Sequence, residues 1–140
     1  MSINHFLKYK KNNTETMDIY QVITLIIDKI QSNIHKAMDA VHLNDDLTRV
    51  KACAEAAFQL SLIVDAVQSD VFEENPQLSV IKNSCVLFVE FLFRANIQKS
   101  LPKFERLSHE ISVFKKKWIL SRPFKKSMSD PYNCSVAVCI

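Results

Sequence analysis

The chain contains no glycine. Loops that cradle a phosphate need backbone freedom that only glycine supplies, so the nucleotide-binding loop classes are excluded. The same absence disfavours tight β-hairpins and dinucleotide-binding βαβ units. Helices tolerate the lack of glycine best. No metal pattern is present either. The four cysteines, Cys53, Cys85, Cys134 and Cys139, contain no C-x-x-C pair, and His5, His35, His42 and His109 have no ligand partners at useful spacing. The most apolar run, Cys85 to Phe93, is interrupted by Glu90 and is shorter than the roughly 20 residues that span a bilayer, so no membrane insertion is expected. The opening residues carry no apolar core of the signal-peptide type. The expectation is a cytoplasmic, reduced protein whose cysteines act as small hydrophobes. The net charge of +3 is too small to name a partner. No Ser/His/Asp or Cys/His set can be assembled, and paired acids such as Glu73 and Glu74 lie in a polar linker, so an enzyme is not expected and no cofactor is implied.

What the chain does have is helical periodicity. Residues 1–17 read as an N-terminal arm, polar and basic, with Phe6, Leu7 and Tyr9 as isolated apolar points. Asp18 stands three residues before Gln21, a capping-box pattern. Ile19, Val22, Ile23, Ile26, Ile30, Ile34, Ala37, Met38 and Val41 then recur at helical spacing, and the helix is expected to end near His42–Asn44, with Asn44 taking the left-handed position that glycine usually fills. Asp45 or Asp46 caps a second helix reaching about Ser69. Its expected stripe is Leu47, Val50, Ala54, Ala57, Leu60 or Ser61, Val64 and Val67. A third helix starts at Asn75 and Pro76, and a fourth at Ser100 with Pro102 in its first turn. In the fourth, Phe104, Leu107, Ile111, Phe114 and Trp118 step by three and four, an a/d seam. Residues 123–140 show no helical period and are expected to form a flexible tail. The expected fold is all-α: an antiparallel up-down-up-down four-helix bundle over residues 18–122.

The third helix is apolar on most sides, through Cys85, Val86, Leu87, Phe88, Val89, Phe91, Leu92 and Phe93. Either its neighbours cover every flank, or one flank, including Val80, Leu87 and Phe91, is kept for a partner. Solvent exposure of an apolar patch decides between the two. The run Ala52 to Ala57 on the second helix is made of small side chains, which admit a close neighbour or leave a shallow groove around Ala54 and Ala57. Lys115, Lys116, Lys117, Arg122, Lys125 and Lys126 form a basic stretch. It reads as a solvated helix end, with contact to nucleic acid through this basic end as the alternative.

Taken in order, these features resemble the flagellar secretion chaperone family FliS. The resemblance covers about residues 3 to 120 at low identity. It rests on the arm, with an aromatic followed by Tyr9 and Lys10-Lys11-Asn12, on a capped helix at the matching distance, and on Asn44-Asp45-Asp46 in the first connection. Arg94-Ala95-Asn96-Ile97 closing the third helix and Trp118 late in the fourth complete it. None of these is a catalytic signature; their specificity lies in their order. Where the family often has Thr-Pro-Gly-Glu, this chain reads Asp18, Ile19, Tyr20 and Gln21, and Phe6 stands where the family has Tyr. The tail from Pro123 has no counterpart in the pattern.

What the resemblance implies is a binding function. Such chaperones hold the disordered C-terminal segment of flagellin, block its premature polymerisation and deliver it to a gate protein of the flagellar type III secretion machine. Carried over by position, docking contacts fall at Phe6, Leu7 and Tyr9, which also suit a staple pinning the arm to the bundle. A client groove falls at Ala54, Ala57, Val80, Leu87 and Phe91. A client that orders on binding needs a long apolar surface to offset the entropy it loses. The alternative is an adaptor of the same fold that binds another flagellar export protein.

Overall fold

A computed structural model describes residues 18–68 and 77–121. These residues form four helices and no strand: α1 (Ile19–His42), α2 (Asp46–Val67), α3 (Gln77–Gln98) and α4 (Leu101–Leu120). They pack as an antiparallel four-helix bundle in which each helix lies beside the next and α4 returns to α1. The expected arm, the start signal at Asn75 and Pro76, and the expected tail lie outside the described residues.

Side-chain caps set the helix ends. Asp18 accepts from the Gln21 backbone N–H at 2.9 Å, while the Asp18 N–H donates to Gln21 Oε1 at 3.0 Å, so the capping box closes in both directions. Asp45 caps α2, accepting from the Thr48 N–H at 3.1 Å and the Thr48 hydroxyl at 2.7 Å. Ser100 caps α4 by accepting from the Lys103 N–H at 3.3 Å. The two tight turns show how a glycine-free chain reverses direction. Asn44 has φ 55° and Lys99 has φ 49°. The Asp45 N–H then reaches back to the Ala40 carbonyl at 2.9 Å, and the Ser100 N–H to that of Ala95 at 3.1 Å. Asparagine tolerates the left-handed region; lysine occupies it at a cost of about 1–2 kcal/mol.

The core is built from Ile23, Ile27, Ile30 and Ile34 of α1, Leu60 and Ile63 of α2, Leu92 of α3, and Phe104, Leu107, Ile111 and Trp118 of α4. The seam expected on α4 is buried throughout. Alanines at positions 37, 40, 52 and 56 are buried, and α1 and α2 are the most closely packed pair.

Polar bonds fix the register. Asn33 donates to Gln59 Oε1 at 3.0 Å in the buried α1/α2 interface. Gln31 donates to the Ser108 carbonyl at 2.8 Å and the Ser112 hydroxyl at 2.9 Å, Lys115 pairs with Asp28 at 2.6 Å, and Tyr20 stacks on Trp118 with ring centroids 4.8 Å apart. Together these hold α1 antiparallel to α4. Between α2 and α3, Arg49 donates to Asn96 Oδ1 at 2.8 Å and also binds Asp46, whose carboxylate meets Lys99 at 3.3 Å.

The stripe expected on α2 holds at Leu60 and Val67 and is corrected elsewhere by the structure. Arg49, Ala52, Cys53, Ala56, Gln59, Leu60, Ile63, Ala66 and Val67 are buried, whereas Leu47, Val50 and Ala54 are exposed and Ala57 and Val64 half-buried. The helix is turned because two polar residues point inward with partners supplied: Asp46 and Asn96 for Arg49, and Asn33 for Gln59. Hydrophobic periodicity assigns such positions to the surface.

Candidate protein-binding groove

α3 and α4 approach each other least closely of the neighbouring helix pairs. Their contact includes an edge-on pair of Phe88 and Phe114 rings, 5.5 Å between centroids, and Lys103 lying over the Phe91 ring at 5.8 Å. Along this seam the surface opens into a cleft of about 600 Å³ between Val80, Ile81, Ser84, Leu87 and Phe88 of α3 and Glu110, Val113, Phe114, Lys117, Trp118, Leu120 and Ser121 of the facing chain. A second cleft of about 370 Å³ continues it, reaching Phe91, Glu90 and Arg94 on one side and Arg106 and Leu107 on the other. Leu87, Phe88 and Glu110 line both, so the two form one groove.

Helical spacing explains the walls. Val80, Ser84, Leu87 and Phe91 recur at four, three and four residues and therefore share one flank of α3. Arg106, Glu110, Val113 and Lys117 recur at four, three and four on α4 and make the facing flank. Ile81, Cys85 and Leu92, turned inward from the α3 wall, belong to the core. Val80 and Leu87 are 64% and 62% exposed, and Leu120 at the groove mouth is 83% exposed. The floor is aromatic and aliphatic. The rim carries Lys117, then Glu110, then Arg106 and Arg94, with Glu90 beside them.

Three of the residues singled out from the sequence are gathered here: Val80, Leu87 and Phe91 line the groove. Ala54 and Ala57 lie on α2 and line neither cleft; Ala54 is exposed and Ala57 half-buried against the core. Phe6, Leu7 and Tyr9 lie outside the described residues. The wall that the sequence reading missed comes from α4. Its a/d seam drew attention to the core, but Val113 and Leu120 are apolar residues off that seam, and they were the available signal. Other large apolar side chains are exposed away from the groove: Leu47 (66% exposed), Val50 and Phe58 on α2, and Phe93 and Ile97 on α3.

The groove holds no reactive thiol. Burial pushes the Cys53 thiol up to about 11 and the Cys85 thiol up to about 12, so both stay protonated at neutral pH. Among the described residues no group of three His, Cys, Asp or Glu side chains could hold a metal ion, and no helix is long and apolar enough to cross a membrane. In the basic stretch, Lys115 is paired with Asp28 and Lys117 sits on the groove rim; Arg122, Lys125 and Lys126 lie outside the described residues. No family model matches the chain, and no curated protein matches it.

Proposed function

We propose that this chain is an export chaperone of the flagellin-binding kind, which takes the C-terminal segment of flagellin into the α3/α4 groove. There it shields the segment from premature polymerisation and presents it, in the cytoplasm, to the gate of the flagellar secretion machine. The observation that carries the reading is the α3 flank made of exposed Val80 and Leu87 and half-buried Phe91, which lines a groove with an apolar floor shared with Val113 of α4. A bundle of this size has no internal need for that surface, and exposed contiguous apolar patches mark interaction sites. The ordered resemblance to the FliS family supplies the client.

The dimensions suit such a client. From Val80 to Arg94 the α3 wall runs about 21 Å at a rise of roughly 1.5 Å per residue, room for about four turns of helix. An amphipathic segment laid along it presents apolar anchors at spacings of three and four. Each anchor fully buried contributes about 1.5–3 kcal/mol, against about 1–2 kcal/mol lost for each backbone residue ordered. Hydrogen bonds formed as the client folds and the charged rim contribute the rest.

The test is a thermal-shift titration with the C-terminal peptide of the flagellin from the same organism. The melting temperature should rise with peptide concentration, because a ligand that binds only the folded state stabilises it. No shift at tens of micromolar peptide would remove flagellin as the client. The adaptor reading shares the groove and differs in its occupant. It gains from exposed Leu47, Val50 and Phe58, which helical spacing puts on one flank of α2 and which offer a place for another partner. A pull-down that recovers flagellar export proteins and never flagellin would favour it.

A further inference from the structure

We propose that the outer face of α2 and α3 pairs with the same face of a second copy of this chain, about a two-fold axis lying across the helices at the level of Cys53 and Leu92. The proposal concerns a face other than the groove and depends on no client.

The first ground is that two exposed apolar flanks share this face. Leu47, Val50 and Phe58 recur on one flank of α2, and Val86, Phe93 and Ile97 on one flank of α3. Gln59 reaches α1 through Asn33, and Val50, nine residues away, lies half a turn round the helix from it. Phe91 meets Lys103 of α4. Phe93 lies roughly 200° round α3 from Phe91. Both flanks therefore look away from the other two helices. Arg49, next to Val50, donates to Asn96, next to Ile97, so the flanks adjoin.

The second ground is area. The six side chains range from 45% exposed at Val50 to 79% at Ile97. With roughly 200 Å² for a large apolar residue fully open, they leave on the order of 600 Å² uncovered. A stable interface takes about 800 Å² from each partner, about 65% of it apolar between identical chains, and this face supplies that share.

The third ground is self-complementarity. The bonds from Arg49 to Asn96 and from Lys99 to Asp46 set the antiparallel register of α2 and α3, and put Cys53 level with Leu92. Lys51 and Glu55 stand two residues either side of Cys53, and Glu90 and Arg94 two either side of Leu92. All four are exposed, and none has an ion-pair partner among the described residues. An axis at that level sets each helix antiparallel to its own copy. It brings Lys51 level with the second copy's Glu55, and Glu90 level with the second copy's Arg94. Within one residue, it also brings Leu47 level with Phe58 of the copy, Ile97 with its Val86, and Phe93 with its own counterpart. A single rotation thus matches both the charges and the apolar residues.

The test is sedimentation of the full chain in reductant, which keeps Cys134 and Cys139 from cross-linking. At tens of micromolar the mass should be twice the 16.1 kDa of one chain. Ile97→Lys, whose charge suits the C-terminal end of α3, should return the mass of a single chain, while Val80→Lys on the groove flank should leave the dimer intact. Glu90→Arg and Arg94→Glu each set like charges against one another across the axis and should weaken the dimer about tenfold. The two together in one chain should recover most of that loss. Helical melting reports that each variant is folded, and the exposed charge reversals keep the test open should Ile97→Lys unfold. A single-chain mass at tens of micromolar overturns the proposal, whether the face is bare or covered by another partner. So does a dimer that Val80→Lys breaks and Ile97→Lys spares, or a loss on charge reversal that the double variant does not repair. A dimer that forms while flagellin peptide fails to bind removes the client reading and leaves this one standing.

Discussion

Replacing Leu87 with alanine separates binding from folding. Its side chain is 62% exposed in the free protein, while Leu92, five residues on along the same helix, is 0% exposed. Full burial of a leucine contributes about 1.5–3 kcal/mol, so the part of Leu87 still open to water offers a client about 1–2 kcal/mol. Leu87→Ala should therefore weaken client binding about 5- to 30-fold. The bundle itself, which buries only the smaller share of the side chain, should lose about 1 kcal/mol or less. Leu92→Ala reverses the pattern, costing about 2–5 kcal/mol of stability through the lost contacts and the cavity left behind. At about 4–8 °C per kcal/mol for a domain of this size, the two variants separate clearly in a thermal melt. Calorimetric titration with the flagellin peptide, run below both melting temperatures, supplies the affinities. If Leu87→Ala binds like the parent, or if it unfolds like Leu92→Ala, the distinction between groove wall and core is wrong.

Other expectations follow from the turns, the buried polar pair, the acids and the thiols. Lys99→Gly should stabilise the bundle by about 0.5–1 kcal/mol in chemical denaturation, because relief of the left-handed backbone outweighs one exposed ion pair with Asp46; a net loss would refute strain at this turn. Asn33→Leu alone should cost about 1–3 kcal/mol by leaving Gln59 without its buried partner, and adding Gln59→Leu should recover much of it; equal losses in single and double variants would contradict this. Hydrogen bonds from Thr48 hold Asp45 below the ordinary 3.8, and those from Arg49 and Lys99 do the same for Asp46. Their contribution is complete above that value and is lost as pH falls through the lowered folded values, so melting temperature should drop on acidification below about 4 and drop less in Asp45→Asn/Asp46→Asn. Cys53 and Cys85 should resist a thiol reagent at pH 8 in the native protein and react fully in denaturant; rapid native labelling of either would show the core to be open.

The fold was legible where local signals agreed. The Asp18–Gln21 box, Asn44 at a left-handed turn, Ser100 before Pro102 and the α4 seam all stand where the residue chemistry puts them, because each depends on neighbours within one or two turns. The facing of α2 was not legible. Arg49 and Gln59 are buried with partners on other helices, and a hydrogen bond to Asn96 or from Asn33 leaves no trace in the periodicity of α2. The groove was half legible. Surplus apolar surface on α3 singled out Val80, Leu87 and Phe91, but which neighbour stands off from that flank is set by packing around the whole bundle. The small residues of α2 left both a close neighbour and a shallow groove open; Ala52 and Ala56 are buried, and Ala54 and Ala57 line neither cleft beside α4.

The central claim is that the flank of α3 facing α4 receives the passenger. Titrating isotope-labelled protein with the flagellin C-terminal peptide and following backbone amide shifts tests it most directly. The account predicts the largest changes at Val80, Leu87, Phe91, Val113 and Leu120, with Leu47, Val50 and Phe58 little moved. Changes confined to those three α2 positions, or none at saturating peptide, would contradict it.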